Sequence, residues 1–141
     1  MTLPNYTKPL PEITPHMAPY WHGLQMHTLL LQMCVSCTRF RFPAASICPH
    51  CLSSESHWQQ VSGDGVLSSY ATFHKAYWPS FSGSIPYSVI QVQLDVGVKL
   101  YSNWYADQPK EPLIGMSVVA QYEHVSDAVT LLKFSPREQS K

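Results

Sequence analysis

The chain has 141 residues, enough for one compact domain or for two very small units sharing a core. Hydrophobic residues make up 45% of it and charged residues only 13%, about half the usual share, so the surface is expected either to be covered in part by a partner or to be built from Ser, Gln, Thr and Tyr. Nine Lys plus Arg balance nine Asp plus Glu, which removes the basic excess that drives nucleic-acid binding, and no apolar run approaches the ~18 residues of a membrane span.

Within the first fifteen residues, Pro4, Pro9, Pro11 and Pro15 forbid a helix and predict an extended segment, either a loose tail or a strap across a partner. With five prolines and one Lys as far as Pro19 and no apolar centre, this end does not read as a signal peptide, so a cytoplasmic location with reduced thiols is expected. A helix is predicted over 16–26. Thr14 stands at its cap, Pro15 at its first position, and Met17, Tyr20, Trp21 and Leu24 recur at helical spacing. That apolar stripe packs either on its own domain or on another subunit. Residues 28–33 then run as a strand toward the first cysteine.

All four cysteines fall within 34–51 in the spacing C-x2-C-x10-C-x2-C: Cys34, Cys37, Cys48 and Cys51. Each pair places two sulfurs on one tight turn, and two such knuckles face to face offer four thiolates in a tetrahedron, the donor set that suits zinc. The intervening 38–47 is long enough for a hairpin return. Four sulfurs could also hold iron, but no redox partner motif accompanies them. Two disulfides would need an oxidising compartment, and a thioredoxin-type pair would need a βαβ pattern around it. Four cysteines close the coordination shell, so one structural Zn2+ out of reach of substrate is expected. His50 lies inside the second knuckle but on the outside of its turn. The other histidines, His16, His22, His27, His57, His74 and His124, show no i, i+4 metal pair and no HExxH motif, and read as surface or interface residues.

Beyond Trp58 and Val61 comes a turn cluster, Ser62-Gly63-Asp64-Gly65, and from there strands are predicted. The first is 66–73. A loop at 76–84 follows, and then 87–96, where Ile90, Val92, Leu94 and Val96 alternate with Gln91, Gln93 and Asp95. Gly97 marks a tight turn or bulge, 98–105 is the third strand, and 107–112 is a polar loop with two prolines. After Gly115 come strands over 116–124 and 128–134, closed off by Pro136 and a polar tail. Five consecutive strands in about 70 residues predict a small closed barrel, because closure is how such a sheet disposes of its edges.

Taken in order, these segments resemble a family of small zinc-ribbon/OB-fold proteins, long filed as a domain of unknown function, that accompany thiolase-like and other acyl-CoA enzymes. The resemblance rests on Trp21-His22-Gly23-Leu24, on Leu31 through Cys37, and on Phe42-Pro43 and Ile47-Cys48-Pro49-His50-Cys51. It continues in Val61-Ser62-Gly63-Asp64-Gly65-Val66, Pro86-Tyr87-Ser88-Val89, Leu94-Asp95-Val96-Gly97-Val98, Ile114-Gly115-Met116-Ser117-Val118 and Phe134-Ser135-Pro136. It implies a mainly β protein: an N-terminal tail and helix over 1–27, a rubredoxin-like zinc ribbon over 28–61, a five-stranded OB-fold barrel over 62–136 and a tail over 137–141. The implied role is a non-catalytic accessory subunit packed on a thiolase-fold enzyme, for instance as a 2:2 hetero-oligomer, or on a hot-dog-fold acyl-CoA hydratase. There it would help to seat a CoA thioester bound by the partner complex during thiolysis, condensation, aldol cleavage or acyl transfer. Family knuckles often carry Gly after the second cysteine of a pair, where this chain has Thr38 and Leu52.

Aromatic residues are frequent interface anchors, so Tyr20 and Trp21 on the helix and Phe73, His74, Lys75, Tyr77, Trp78 and Phe81 on the first long loop are the candidate contacts to a partner or an acyl-CoA. Trp104 reads as core and Tyr105 as a further candidate. Lys75 could meet a CoA phosphate or stay solvated. A single-stranded nucleic-acid module is the alternative, with Tyr70, Phe73, Tyr101 and Tyr105 as stacking faces but without a basic groove to track a backbone. No nucleophile elbow, P-loop or dinucleotide glycine motif supports a free-standing enzyme.

Overall fold

The computed structural model describes residues 6–106 and 111–137. The first five residues, the part of the polar loop at 107–110 and the tail at 138–141 lie outside the described residues.

The predicted helix is present, one turn tighter at its start. A 3-10 turn, Pro15–Met17, leads into α1, Ala18–Gln25. Thr14 flanks the turn in an extended conformation and makes no side-chain cap bond. The apolar stripe turns inward: Tyr20 and Leu24 are buried. The chain reverses at once, with Thr28 N–H donating to Gly23 O at 2.8 Å. A Cβ on Gly23 would stand 2.7 Å from Thr28 O, so only glycine allows this return.

That reversal feeds a three-stranded antiparallel sheet of order β2-β1-β3, made of β1 (Leu29–Cys34), β2 (Phe40–Arg41) and β3 (Ser56–Val61). β2 is the hairpin return between the knuckles, and it pairs Gln32 with Arg41. β3 was not predicted. Its sequence, SHWQQV, has no apolar alternation, and it becomes a strand because β1 offers a full edge, Leu29 to Cys34 opposite Val61 to Ser56. A buried polar network ties this hairpin: Arg41 Nε donates to Gln32 Oε1 at 2.7 Å, Ala45 N–H donates to the same oxygen at 2.8 Å, and Arg41 Nη2 donates to Ala45 O at 2.9 Å.

The remaining strands are β4 (Asp64–Phe73), β5 (Tyr87–Leu94), β6 (Lys99–Ser102), β7 (Ser117–His124) and β8 (Thr130–Pro136), in the order β6-β5-β4-β7-β8. Asp64 and Gly65 belong to β4, so the predicted turn narrows to Ser62 and Gly63. β4 is long enough to serve two partners, Asp64 to Val66 pairing with β7 and the whole run to Phe73 pairing with β5, with a bulge between Leu67 and Ser69. β5 stops at Leu94. Gly97, at φ 95°, makes the turn, and Val96 lies outside the strand. β6 is shorter than predicted because the chain leaves β5 and crosses to β8. There Trp104 bridges Phe134 in parallel, flanked by Tyr105 N–H to Phe134 O at 2.7 Å and Phe134 N–H to Asn103 O at 3.1 Å. The sheet thus curls back on itself in an OB-like barrel.

One apolar core runs through both halves. Tyr20, Leu24, Leu29 and Leu31 from the helix and ribbon join Leu67, Ile90, Val92, Leu94, Leu100, Trp104, Val118 and Phe134 of the barrel. Among the described residues no helix is long and apolar enough to cross a membrane.

Candidate functional site

The four cysteines converge. Cys34 ends β1, Cys37 closes its knuckle, and the second knuckle at Cys48 to Cys51 folds over it, so that all four Sγ atoms lie within 4.8 Å of one another. Cys34 Sγ and Cys51 Sγ are 3.5 Å apart, and Cys37 Sγ and Cys48 Sγ are 3.6 Å apart. Four sulfurs around one ion at about 2.3 Å would be separated by about 3.8 Å, so the donor set fits a tetrahedral zinc with little adjustment.

Each knuckle is closed by backbone bonds, Thr38 N–H to Cys34 O and Leu52 N–H to Cys48 O, both 2.9 Å. Thr38 (φ 62°) and Leu52 (φ 66°) adopt the left-handed conformation usually given to glycine at these positions. The fold therefore keeps the knuckle geometry and places two side chains where L-residues are strained.

Amide donors tune the sulfurs. The Cys37 amide, outweighing burial, lowers the Cys34 thiol to about 6, and the amides of Cys51 and His50 lower Cys48. The Ser53 amide also pulls on Cys51, but crowding by the Cys34, Cys37 and Cys48 sulfurs together with burial outweighs it and pushes Cys51 up to about 11. Metal binding at neutral pH therefore has a thiolate-prone sulfur to begin on and takes a proton from Cys51. His50 stays outside the cluster, its Nδ1 accepting from Arg39 at 2.8 Å while its backbone N–H points at Cys48 Sγ, 3.4 Å away.

The aromatic candidates divide between two places. Tyr20 is not an exposed anchor: it is 6% accessible and packs against Trp21 and Phe42, each 5.1 Å away between ring centres, because the helix stripe seals the ribbon core. Trp21 is half-buried against the same core. The loop residues form a separate patch at one end of the barrel. Phe73 and Phe81 each lie 5.4 Å from Tyr87, and Tyr77 meets Phe73 edge-on at 6.4 Å. Tyr77 and Trp78 are 65% and 60% exposed, and Lys75 Nζ sits 5.2 Å over the Tyr77 ring. His74 is exposed beside them.

Sequence reasoning did not find the cavity next to this loop. About 330 Å3 in volume, it is walled by Tyr6, Lys8, Phe81, Tyr87, Trp104 and Lys133. The extended N-terminal segment covers one side, with Lys8 Nζ 5.2 Å over the Phe81 ring. Trp104 is core, as expected, yet its buried indole N–H has no hydrogen-bond partner among the described residues. A separate groove on the outer face of the barrel holds Tyr70, Phe73 and Tyr101, without Tyr105.

A four-thiolate ribbon leading into a small OB barrel defines a zinc-ribbon protein. Residues 21–56 match the family model for the ChsH2 rubredoxin-like zinc ribbon domain, and residues 58–123 match that for the ChsH2 C-terminal OB-fold domain. Among solved structures, the chain is 31% identical to one titled "Ltp2-ChsH2(DUF35) aldolase", covering 90% of this chain and 98% of that one with a TM-score of 0.79. A DUF35 protein of unknown function from Sulfolobus solfataricus shares the fold at 16% identity and a TM-score of 0.59, with 87% of this chain and 86% of that one covered. A probable enoyl-CoA hydratase alpha subunit of Thermomonospora curvata is 31% identical over 94% of this chain, which spans 41% of that relative's length. A DUF35 domain-containing scaffold protein of Methanocaldococcus jannaschii is 26% identical over 75% of each chain. The chain belongs to the ChsH2/DUF35 family of zinc-ribbon and OB-fold proteins.

Proposed function

We propose that this chain is a non-catalytic accessory subunit of an acyl-CoA enzyme working in the cytoplasm, with one structural Zn2+ held by Cys34, Cys37, Cys48 and Cys51. The observation that carries the reading is the likeness to the DUF35 chain of an aldolase assembly over nearly the whole length of both, in a fold whose only group of three or more converging metal-ligating side chains among the described residues is a closed four-sulfur centre. Such a centre has no open position for substrate, so its work is to fold the ribbon. The partner we favour is a thiolase-fold subunit in a 2:2 assembly. The exposed pair Tyr77 and Trp78 is the contact that suits it, because large aromatics anchor interfaces at low entropic cost. Phe73, His74, Lys75 and Phe81 complete that surface, and Trp21 on the helix offers a separate contact. The cavity beside Phe81, lined in part by Lys8 and by Lys133, whose ammonium pairs with Glu123 at 3.1 Å, is where part of a CoA thioester held by the partner would be seated.

A second reading, a hot-dog-fold hydratase as partner, is favoured by the T. curvata relative, whose name is that of a hydratase subunit. Co-expression with each enzyme class separates the two. The expected outcome is a stable complex with one of them, whose turnover of acyl-CoA falls when this chain is left out. A double change, Tyr77→Ala with Trp78→Ala, is expected to weaken that complex by about tenfold or more. A chain that stays monomeric beside both enzymes and leaves their turnover unchanged overturns the proposal.

A further inference from the structure

His27 and His124 are 97 positions apart and come together in the fold. His27 occupies the turn between α1 and β1, in a left-handed conformation at φ 55°, with its N–H bonded to Leu24 O at 3.0 Å. His124 is the last residue of β7. Their Nε2 atoms are 2.8 Å apart, and both residues are exposed.

Each ring is held from behind. The buried Thr130 hydroxyl lies 2.7 Å from His124 Nδ1 and donates its hydrogen to Gln25 Oε1 at 2.8 Å. Gln25 is itself fixed, its Nε2 donating to Asp127 O at 2.9 Å. With its one hydrogen committed to Gln25, the hydroxyl oxygen accepts from His124 Nδ1–H. The neutral His124 ring then carries a bare lone pair on Nε2, directed at His27. His27 lies flat on the Tyr122 ring, with centroids 5.0 Å apart and planes 7° apart.

His124 thus has the arrangement a histidine adopts as a metal ligand, one ring nitrogen free and the other donating to an oxygen that sets tautomer and orientation, while His27 is oriented by its stacking on Tyr122. Two imidazole nitrogens on one ion at about 2.0–2.1 Å stand roughly 2.9–3.4 Å apart, depending on the coordination angle. The observed gap needs little change to reach that range. The hydrogen between the rings then belongs to His27 Nε2, and an ion taking its place would leave His27 neutral with that hydrogen moved to Nδ1.

We propose that His27 and His124 form a second metal site, an open two-histidine site for a divalent transition ion completed by water. Neutral imidazole pairs take Cu2+ most tightly, with Ni2+ and Zn2+ weaker. The ion joins the end of the helix to the end of a barrel strand, so its occupancy stabilises one half of the molecule against the other. It differs in kind from the thiolate centre, having two neutral nitrogen donors and open positions.

The test uses the full chain carrying one zinc in its ribbon, titrated with further Zn2+ so that exchange at the cysteines is silent. Calorimetry is expected to show a second equivalent, and excess Zn2+ to raise the melting temperature. His124→Gln and His27→Asn, the latter suited to a left-handed backbone, are each expected to abolish both effects while the first zinc is retained. Thr130→Val removes the oxygen behind His124, and is expected to weaken the second equivalent by about tenfold without removing it. Retention of the first zinc and of the native far-ultraviolet spectrum reports that each variant is folded. A single equivalent in the unaltered chain at millimolar Zn2+, or a second equivalent that survives both histidine changes, overturns the proposal.

Discussion

In the ribbon, β2 contributes two residues and β3 leaves most of its side chains half or fully exposed, so little apolar area is gathered there. In the barrel, Leu67, Ile90, Val92, Val118 and Phe134 are wholly buried, and the sheet closes through Trp104 and Phe134. The ribbon is held instead by four sulfurs and by the Gln32–Arg41 network. A unit too small for a core of its own needs a metal or a polar lock, whereas a closed barrel needs neither. The halves meet where Tyr20, Leu24, Leu29 and Leu31 reach into the common core and where Gln25 and His27 meet Thr130 and His124.

The largest effect should come from the metal. Structural zinc contributes roughly 10–16 kcal/mol in isolated zinc-finger peptides, so Cys48→Ser or strong chelation should unfold the ribbon. Native-state hydrogen exchange should then show amides of Leu29–Cys34 and Ser56–Val61 losing protection while those of Tyr87–Leu94 keep theirs. Equal loss in both sheets would break the comparison. Next comes Phe134→Ala, which removes the largest fully buried side chain at the closure of the barrel and is expected to cost about 3–5 kcal/mol by denaturant unfolding, with zinc content per folded chain unchanged.

Gln32→Ala leaves the Ala45 amide and the buried Arg41 guanidinium without their common acceptor, and a loss of about 1–3 kcal/mol is expected from the same measurement. Smallest and of opposite sign is Leu52→Gly. Leu52 is 76% exposed at positive φ, so relief of strain should outweigh lost packing, with a gain of about 1 kcal/mol and tighter zinc retention against a competing chelator. A loss instead would mean that the leucine side chain supports the knuckle.

Much of this molecule could be read from its residues. The two CxxC pairs announced a four-sulfur centre because the spacing itself bends each pair around an ion. The alternation at Ile90, Val92 and Leu94 announced a half-buried strand. β3 escaped because its residues carry no pattern of their own and become a strand only on the edge of β1. Whether Tyr20 meets a partner or its own domain is left open by a one-sided helical stripe, which does not say what covers it, and here the ribbon core does. Nothing in the sequence linked Lys8 to Phe81, or Gln32 to Arg41 and Ala45, since these contacts depend on how strap, loop and hairpin are laid down.

Local chemistry, then, was settled by the sequence alone: which residues are soft donors, where the backbone must turn and which strands have an inner face. The tertiary structure decided what distant positions share. It closed the sheet by carrying Trp104 onto Phe134, put a leucine and a threonine into left-handed knuckle positions, and set His27 beside His124. The physical reason is range. Turn geometry and side-chain periodicity act over a few residues, whereas a partner some hundred positions away is selected only when burying the common core fixes the helix, the ribbon and the barrel against one another.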